Sequence, residues 1–331
     1  MAMTVSAEPP ASAPEAAIDP GAIERLLCDD LFHADQAMLH MGPILRHLLQ
    51  NDDRSIFSDE LIARVRGMLA DLARQLVQAL GEAAGHADAA AWARDAGPGL
   101  AEMLAASQPL LHYLHMLAVE WQVAEKLQGT LGLDPVLTPL LQDIISSPGP
   151  DLAARGMNLL AAQARFGQAV RRMQIPLAEL PADLHDETLG IMQRYVAADP
   201  AGEAAAAQAE ASLRKRRAVT ASRIDLLDHV MAVLGAGRSA ALQLEHAGVA
   251  LFLSGLSAVA GISRETAIMC TTESQMPRLA LSLVAANVGR EGVVATFAAL
   301  HPDIAVPAGI ERLDPARASA LLTNTSAEAR S

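Results

Sequence analysis

The residues best suited to chemistry in this chain are its histidines. His33, His40 and His47 recur at seven-residue intervals. On an unbroken helix that interval returns to nearly the same face. With Asp30 and Gln36 alongside, the set has the donor types of a metal site. Gly42-Pro43 falls between the second and third histidines and predicts a turn there, so the simpler reading is histidines at helix interfaces. No second helix offers the Glu-x-x-His pattern of a di-metal carboxylate bundle, and neither metal nor cofactor is assigned. His112 and His115, with Glu120, form a second cluster inside an apolar helix. Their spacing puts both rings on one side, which permits ligation without requiring it; the plain alternative is two polar tips beside Tyr113 and Trp121. His40-Met41-Gly42-Pro43 weakly suggests a phosphoacceptor helix, but the proline stands too close to the histidine and no glycine-rich nucleotide-binding domain follows.

Other charged groups have structural readings of comparable force. Asp183, His185, Asp186 and Glu187 cluster near a helix start, where carboxylates complement the helix dipole. Arg214, Lys215, Arg216 and Arg217 make the one strong basic run. No aromatic residues are interleaved with it, so it reads as a solvated helix face or a dock for an acidic protein partner. Gly-x-Ser-x-Gly and Gly-x-x-x-x-Gly-Lys motifs are absent, and neither cysteine has a conspicuous neighbouring base. The expectation is a protein that is not an enzyme.

The elements that must position these groups read as helices throughout. Hydrophobic residues make up 51% of the 331 residues but aromatics only 3%, a composition of Ala, Leu, Val and Met that favours helix–helix packing over sheets. Asp19-Pro20 is a cap followed by a first-turn proline. After a polar turn at 51–55, Leu61, Val65, Met68, Leu69, Leu72, Leu76, Val77 and Leu80 form one stripe at helical period, with Arg64, Asp71, Arg74 and Gln78 expected to face away. Gly81 and Gly85 close that helix, and Gly97-Pro98-Gly99 punctuates the next segment. Pro109–Leu131 ends at Gly132, Asp134-Pro135 opens a helix, and Ser147–Pro150 breaks the chain. Helices follow over Asp151–Met173 and from Pro181 to about Ala197. The fold class is all-α: a disordered tail (1–18), a helical bundle (19–200), an Ala-rich and basic junction (201–219), a helical repeat module (220–325) and a short disordered C-terminal tail (326–331).

The repeat recurs every 26 residues. Gly235-Ala236-Gly237-Arg238 precedes Ala241-Leu242, Gly261-Ile262-Ser263-Arg264 precedes Ala267-Ile268, and Asn287-Val288-Gly289-Arg290 precedes Val293-Val294. Each copy places a helix-ending Gly or Asn before a Gly or Ser cap, then an arginine and an apolar pair. Hairpins of this length bury their apolar face by stacking, which predicts a solenoid-like array with Arg238, Arg264 and Arg290 in equivalent positions.

The net charge of −13 disfavours nucleic acid and anionic lipid as partners. Ala247–Ile262 is apolar but too short to span a bilayer and reads as a buried core helix. Cys28 and Cys270 read as reduced, buried thiols. Met1–Ala17 lacks the basic start and apolar core of a secretory signal, which points to the cytoplasm.

Three stretches, LAVEWQVAEKLQGTLGLDPVLTPLLQDII (117–145), LLAAQARFGQAVRRMQIPLAELPADLHDETL (159–189) and the segment beginning ALFLSGLSAVAGISRETAIM, resemble an alphaproteobacterial family catalogued as domain of unknown function 2336. The resemblance implies a helical, repeat-like fold and transfers no activity. The leading expectation is a non-enzymatic protein-interaction or regulatory scaffold. A helical sensor that binds a small ligand or metal through the histidine clusters stands second, and a histidine phosphotransfer protein third.

Overall fold

The computed structural model describes residues 20–50, 59–197 and 199–328. Among these are fourteen α-helices and no strand. The first half holds α1 (Pro20–Gln50), α2 (Asp59–Ala83), α3 (Ala89–Leu104), α4 (Gln108–Leu131), α5 (Pro139–Ile145), α6 (Pro150–Arg171) and α7 (Ala182–Val196). The second holds α8 (Pro200–Ala218), α9 (Arg223–Leu234), α10 (Leu244–Ala260), α11 (Arg264–Met269), α12 (Met276–Ala285), α13 (Arg290–Leu300) and α14 (Pro315–Glu328). No helix among the described residues is long and apolar enough to cross a membrane. The expected N-terminal tail and the turn at 51–55 lie outside the described residues.

Capping explains several helix boundaries. The Ser107 hydroxyl accepts from Leu110 N at the start of α4, and Gly132 ends that helix in the left-handed conformation. Asp199 caps α8, so the Ala-rich and basic segment expected as a junction is itself a helix. Its Ala205, Ala206, Ala209 and Leu213 are buried, and it packs on α2 and α7. Two expected breaks do not occur: α1 continues through Gly42-Pro43 and α3 through Pro98. In α3 the Tyr195 hydroxyl donates to Ala96 O at 3.0 Å, and its ring packs 3.3 Å from where a Cβ on Gly99 would stand. Asp134 builds a turn, accepting from Val136 N and Leu137 N; α5 begins only after the Thr138 cap. α10 bends at Gly248, whose φ of 68° and contact with Thr138 leave no room for a side chain: an added Cβ would lie 2.2 Å from Thr138 Cγ2.

The apolar stripe of α2 is buried along its whole length. Arg64 and Asp71, expected to face water, are buried as well. Arg64 pairs with Glu60 and Glu125, at 2.7 and 3.1 Å. Asp71 pairs with Arg74 and also accepts from Ile175 N at 3.2 Å. Beside it, Gln75 takes both a donor and an acceptor role toward the same segment, bonding Ile175 O at 2.7 Å and Leu177 N at 3.0 Å. Those bonds fasten the connection after α6 to the side of α2.

One hydrophobic core runs from Leu27 to Leu322. Its axis is α4, which touches α1, α2, α6, α10, α11 and α13. The second-half helices therefore fold around α4 as well as on one another. At the repeat, Gly235, Gly261 and Asn287 all adopt positive φ, and Arg264 and Arg290 both open helices behind Ser263 and Gly289. Arg238 differs: it lies inside a 3-10 stretch, Gly235–Leu242, and donates to Gly235 O at 2.9 Å. The three arginines thus share no common position, because the first copy keeps the turn-former but winds into a 3-10 segment where the others start an α-helix.

Beside α4 is a buried ionic network. Arg223, 1% exposed, forks onto Glu120 with Nη1–Oε1 at 2.7 Å and Nη2–Oε2 at 3.0 Å. Arg264 donates to the same Oε1 at 2.8 Å and also reaches Ala250 O and Ser254 Oγ. The Arg223 guanidinium lies 3.7 Å from the centre of the Phe166 ring, and Gln163 accepts from it at 3.3 Å. Glu179 accepts from the Arg223 main-chain N–H at 2.8 Å, and its own carbonyl receives the Tyr113 hydroxyl at 3.1 Å. Burial alone would push the Glu120 carboxyl up; the two arginines outweigh it and hold it down to about 2.

Glu120→Ala is expected to cost about 3–5 kcal/mol, because the buried Arg223 and the half-buried Arg264 lose their anion. A titration of stability against pH reads the same interaction. The folded carboxyl titrates below its ordinary value of 4.5, so its stabilisation is complete above that pH and is lost as the pH falls toward 2. Chemical denaturation across that range should show the decline, and Glu120→Gln should abolish the part due to this group. A variant as stable as the parent would show that the network contributes nothing.

Candidate functional site

The histidine clusters do not assemble as their spacing suggests. His33 is exposed, its Nδ1 within 2.7 Å of Asp29 O, and the side chains of His40 and His47 lie outside the described residues. Among the described residues no three His, Cys, Asp or Glu side chains come together to hold a metal ion. His112 is half-buried, with Nε2 4.0 Å from Glu265. Glu120, grouped with these histidines by spacing, turns instead to Arg223 and Arg264. The cysteines are both free, Cys28 half-buried and Cys270 buried; burial pushes the Cys270 thiol up to about 12, which leaves it unreactive near neutrality.

The basic run is largely engaged within the chain. Arg214 pairs with Asp186 and with Glu210, the latter at 2.8 Å. Arg217 donates to the carbonyls of Ala178 and Leu180. Arg216 lies 3.7 Å from Glu82, and Lys215 is exposed. Of the repeat arginines, Arg264 is spent on Glu120, while Arg290 is exposed at the edge of a groove.

His115 is the exception, and it leads to a cleft of 650 Å³ on the face of α4 opposite the ionic network. His115, Val119, Gln122 and Lys126 follow one another at helical spacing down this face. The floor is apolar, formed by Met41 of α1, Leu61 of α2, Val119 and Val123 of α4, Met269 and Leu300. Its polar wall comes from the Thr271–Ser274 turn after α11 and from His301 at the end of α13. Lys126 Nζ donates to Leu300 O at 2.6 Å, a cation on the last carbonyls of α13 where the helix dipole favours it.

The chemistry of the wall follows from its bonds. His301, 9% exposed, lies with Nε2 2.8 Å from Thr271 O. A carbonyl accepts only, so Nε2 carries the proton, and Nδ1 is left to face the side of Glu273, 3.9 Å away. The Thr271 and Thr272 hydroxyls both donate to main-chain carbonyls, of Ile268 and Met269, each at 2.7 Å. Neither proton is therefore aimed at a histidine base. Burial, helped by the positive field of His112, pushes His115 down to about 4, so its ring is neutral in the cleft at neutral pH.

His301 and Lys126 belong to no local motif, and only the fold brings them beside His115. No family model, curated protein or solved structure matches the chain.

The His115 ring gives a direct test of this geometry. Its Hε1 resonance is expected to hold its neutral shift through neutral pH and to move only near pH 4. Histidine NMR across the acid range checks this, and His112→Gln should raise the midpoint by removing the like charge. An ordinary midpoint near 6.5 would place the ring in water instead.

Proposed function

We propose that the protein is a cytoplasmic, non-enzymatic helical binding protein that takes a small amphipathic organic molecule into the cleft along α4. The observation that carries this reading is the cleft's division into an apolar floor and a polar wall. Met41, Leu61, Val119, Val123, Met269 and Leu300 suit the apolar body of a ligand; Lys126, His301 and the Thr272–Ser274 turn suit its polar end. Small-molecule sites combine these features: a concave apolar surface, a few convergent polar groups and a histidine with a shifted pKa. Binding is favoured over catalysis because the threonine hydroxyls are committed to main-chain carbonyls. Both halves of the chain line the cleft, so a ligand there would tighten their association, which is the behaviour of a sensor.

The test uses 1-anilinonaphthalene-8-sulfonate, an apolar probe with an anionic end. Saturable one-to-one binding is expected, weakened about tenfold or more by Val123→Trp, which fills the cleft from a half-buried position. Binding that is unsaturable, or unchanged in Val123→Trp at an equal Tm, would rule the cleft out.

A second reading, the protein-interaction scaffold, is favoured by a separate observation. Two grooves of 650 and 590 Å³ meet at Asn287 and Val288 on the second-half helices. The larger is lined by Val284, Val288, Val293 and Val294, with Arg290 and Glu311 among its polar residues, and Val294 is 49% exposed. An amphipathic helix of a partner protein is the occupant with matching character: an apolar stripe flanked by charge. A photo-cross-linker at Val294 should give one discrete adduct, and Val288→Asp should abolish it. Diffuse labelling, or an adduct indifferent to Val288→Asp, would count against this reading.

A further inference from the structure

A smaller cavity of 200 Å³ lies between α2, the segment after α6, α7 and α8, away from the cleft on α4. It gathers two features that the sequence keeps apart, the end of the basic run and the histidine of the Asp183–Glu187 cluster. Gln75, Gln78, Glu82, His185, Arg216 and Arg217 supply its polar lining. His185 is the informative member. Its side chain is 2% exposed, yet among the described residues nothing hydrogen-bonds its ring; the nearest acid, Asp186, stands 4.0 Å from Nδ1. Buried polar rings ordinarily have a partner, and this one lines a cavity it shares with two guanidiniums. Arg217 is held in place by the carbonyls of Ala178 and Leu180 through one nitrogen, Nη1. Arg216 makes only a long ion pair with Glu82, at 3.7 Å, and donates to Ser212 Oγ at 3.3 Å; Glu82 is itself bonded by Gln78 at 3.0 Å.

We propose that this cavity binds a single phosphate-like oxyanion, with Arg216, Arg217 and His185 as its donors. Guanidinium groups match the oxygens of such an ion in geometry as well as charge. The volume admits one tetrahedral ion with water and excludes a nucleotide. Burial and the charge of Arg217 push the His185 pKa down, so an anion between them would relieve the second of these causes. Glu82 is the built-in competitor, the one acidic side chain of the lining among the described residues. It faces Arg216 at a distance an incoming oxyanion would open further.

Inorganic phosphate, titrated at an ionic strength held constant with sodium chloride, is the probe. Saturable binding is expected, with the His185 ring resonances moving along the same curve. Arg216→Gln should weaken it about tenfold, the loss of roughly one charge-assisted hydrogen bond. That residue is exposed, so the variant should keep its Tm. Glu82→Gln should tighten binding, a gain that a merely structural role for Glu82 would not produce. Unsaturable binding, a His185 signal that responds equally to chloride, or affinity indifferent to both substitutions would each overturn the proposal.

Discussion

The ion pair between Glu120 and Arg223, with Arg264 on the same carboxylate, ties together helices that are far apart in the chain. Glu120 belongs to α4, while Arg223 and Arg264 are the first residues of α9 and α11. Moving such groups out of water costs several kcal/mol each, so the network is no automatic gain in stability. Its members avoid the full cost because the fork is bidentate, Glu179 accepts the Arg223 main-chain N–H, and Phe166 lies under the guanidinium. What the network adds is specificity. A core built mostly of Ala, Leu, Val and Met can slide by a turn with little change in packing, whereas a buried carboxylate finds its arginines in only one register.

Fixing α4 in that register also fixes the cleft. Tyr113 and Glu120 face the network, while His115, Val119, Gln122 and Lys126 descend the opposite side. Arg264 opens α11, and the chain that leaves α11 forms the Thr271–Ser274 turn of the polar wall. The same contacts that seat α11 on Glu120 thus carry that turn to His301. A second link, Arg278 to the buried Asp35 with Gln275 donating to Ala34 O, holds the start of α12 against α1. The wall of the cleft is bounded on both sides by buried ions, which is how a short turn keeps a defined shape.

Much of this fold was legible in the sequence, and the errors share a cause. The stripe from Leu61 to Leu80 and the glycine after Leu131 are local signals, and local signals specify helices well; the caps at Ser107 and Asp199 came only with the structure. The prolines at 43 and 98 mark helix ends on average, but here neighbouring packing carries the helix through. Arg64 and Asp71 read as surface residues because charge is the prior for exposure; their partners, Glu125 and Ile175, lie at distances in sequence that no window spans. Glu120 was visibly unusual, a carboxylate in an apolar helix. Spacing, however, offered only the histidines beside it, while its true partners lie 103 and 144 residues away. His301 and Lys126 carried no signal at all.

The arginines show why a repeated letter need not be a repeated role. Arg264 and Arg290 follow the same kind of positive-φ turn and each stands first in its helix, yet one is half-buried on Glu120 and the other borders a groove. The difference lies in what each helix start faces. α11 begins against α4, where a carboxylate waits beneath an otherwise apolar surface. Arg290 instead opens its helix toward a groove lined by Val293, Val306 and Leu313, so its charge stays at the edge, near water. Local sequence sets where a helix begins and which residue stands first; the neighbour decides whether that residue becomes core or surface. A short motif can therefore recur for the sake of its turn and cap while its most conspicuous side chain serves a different purpose in each copy.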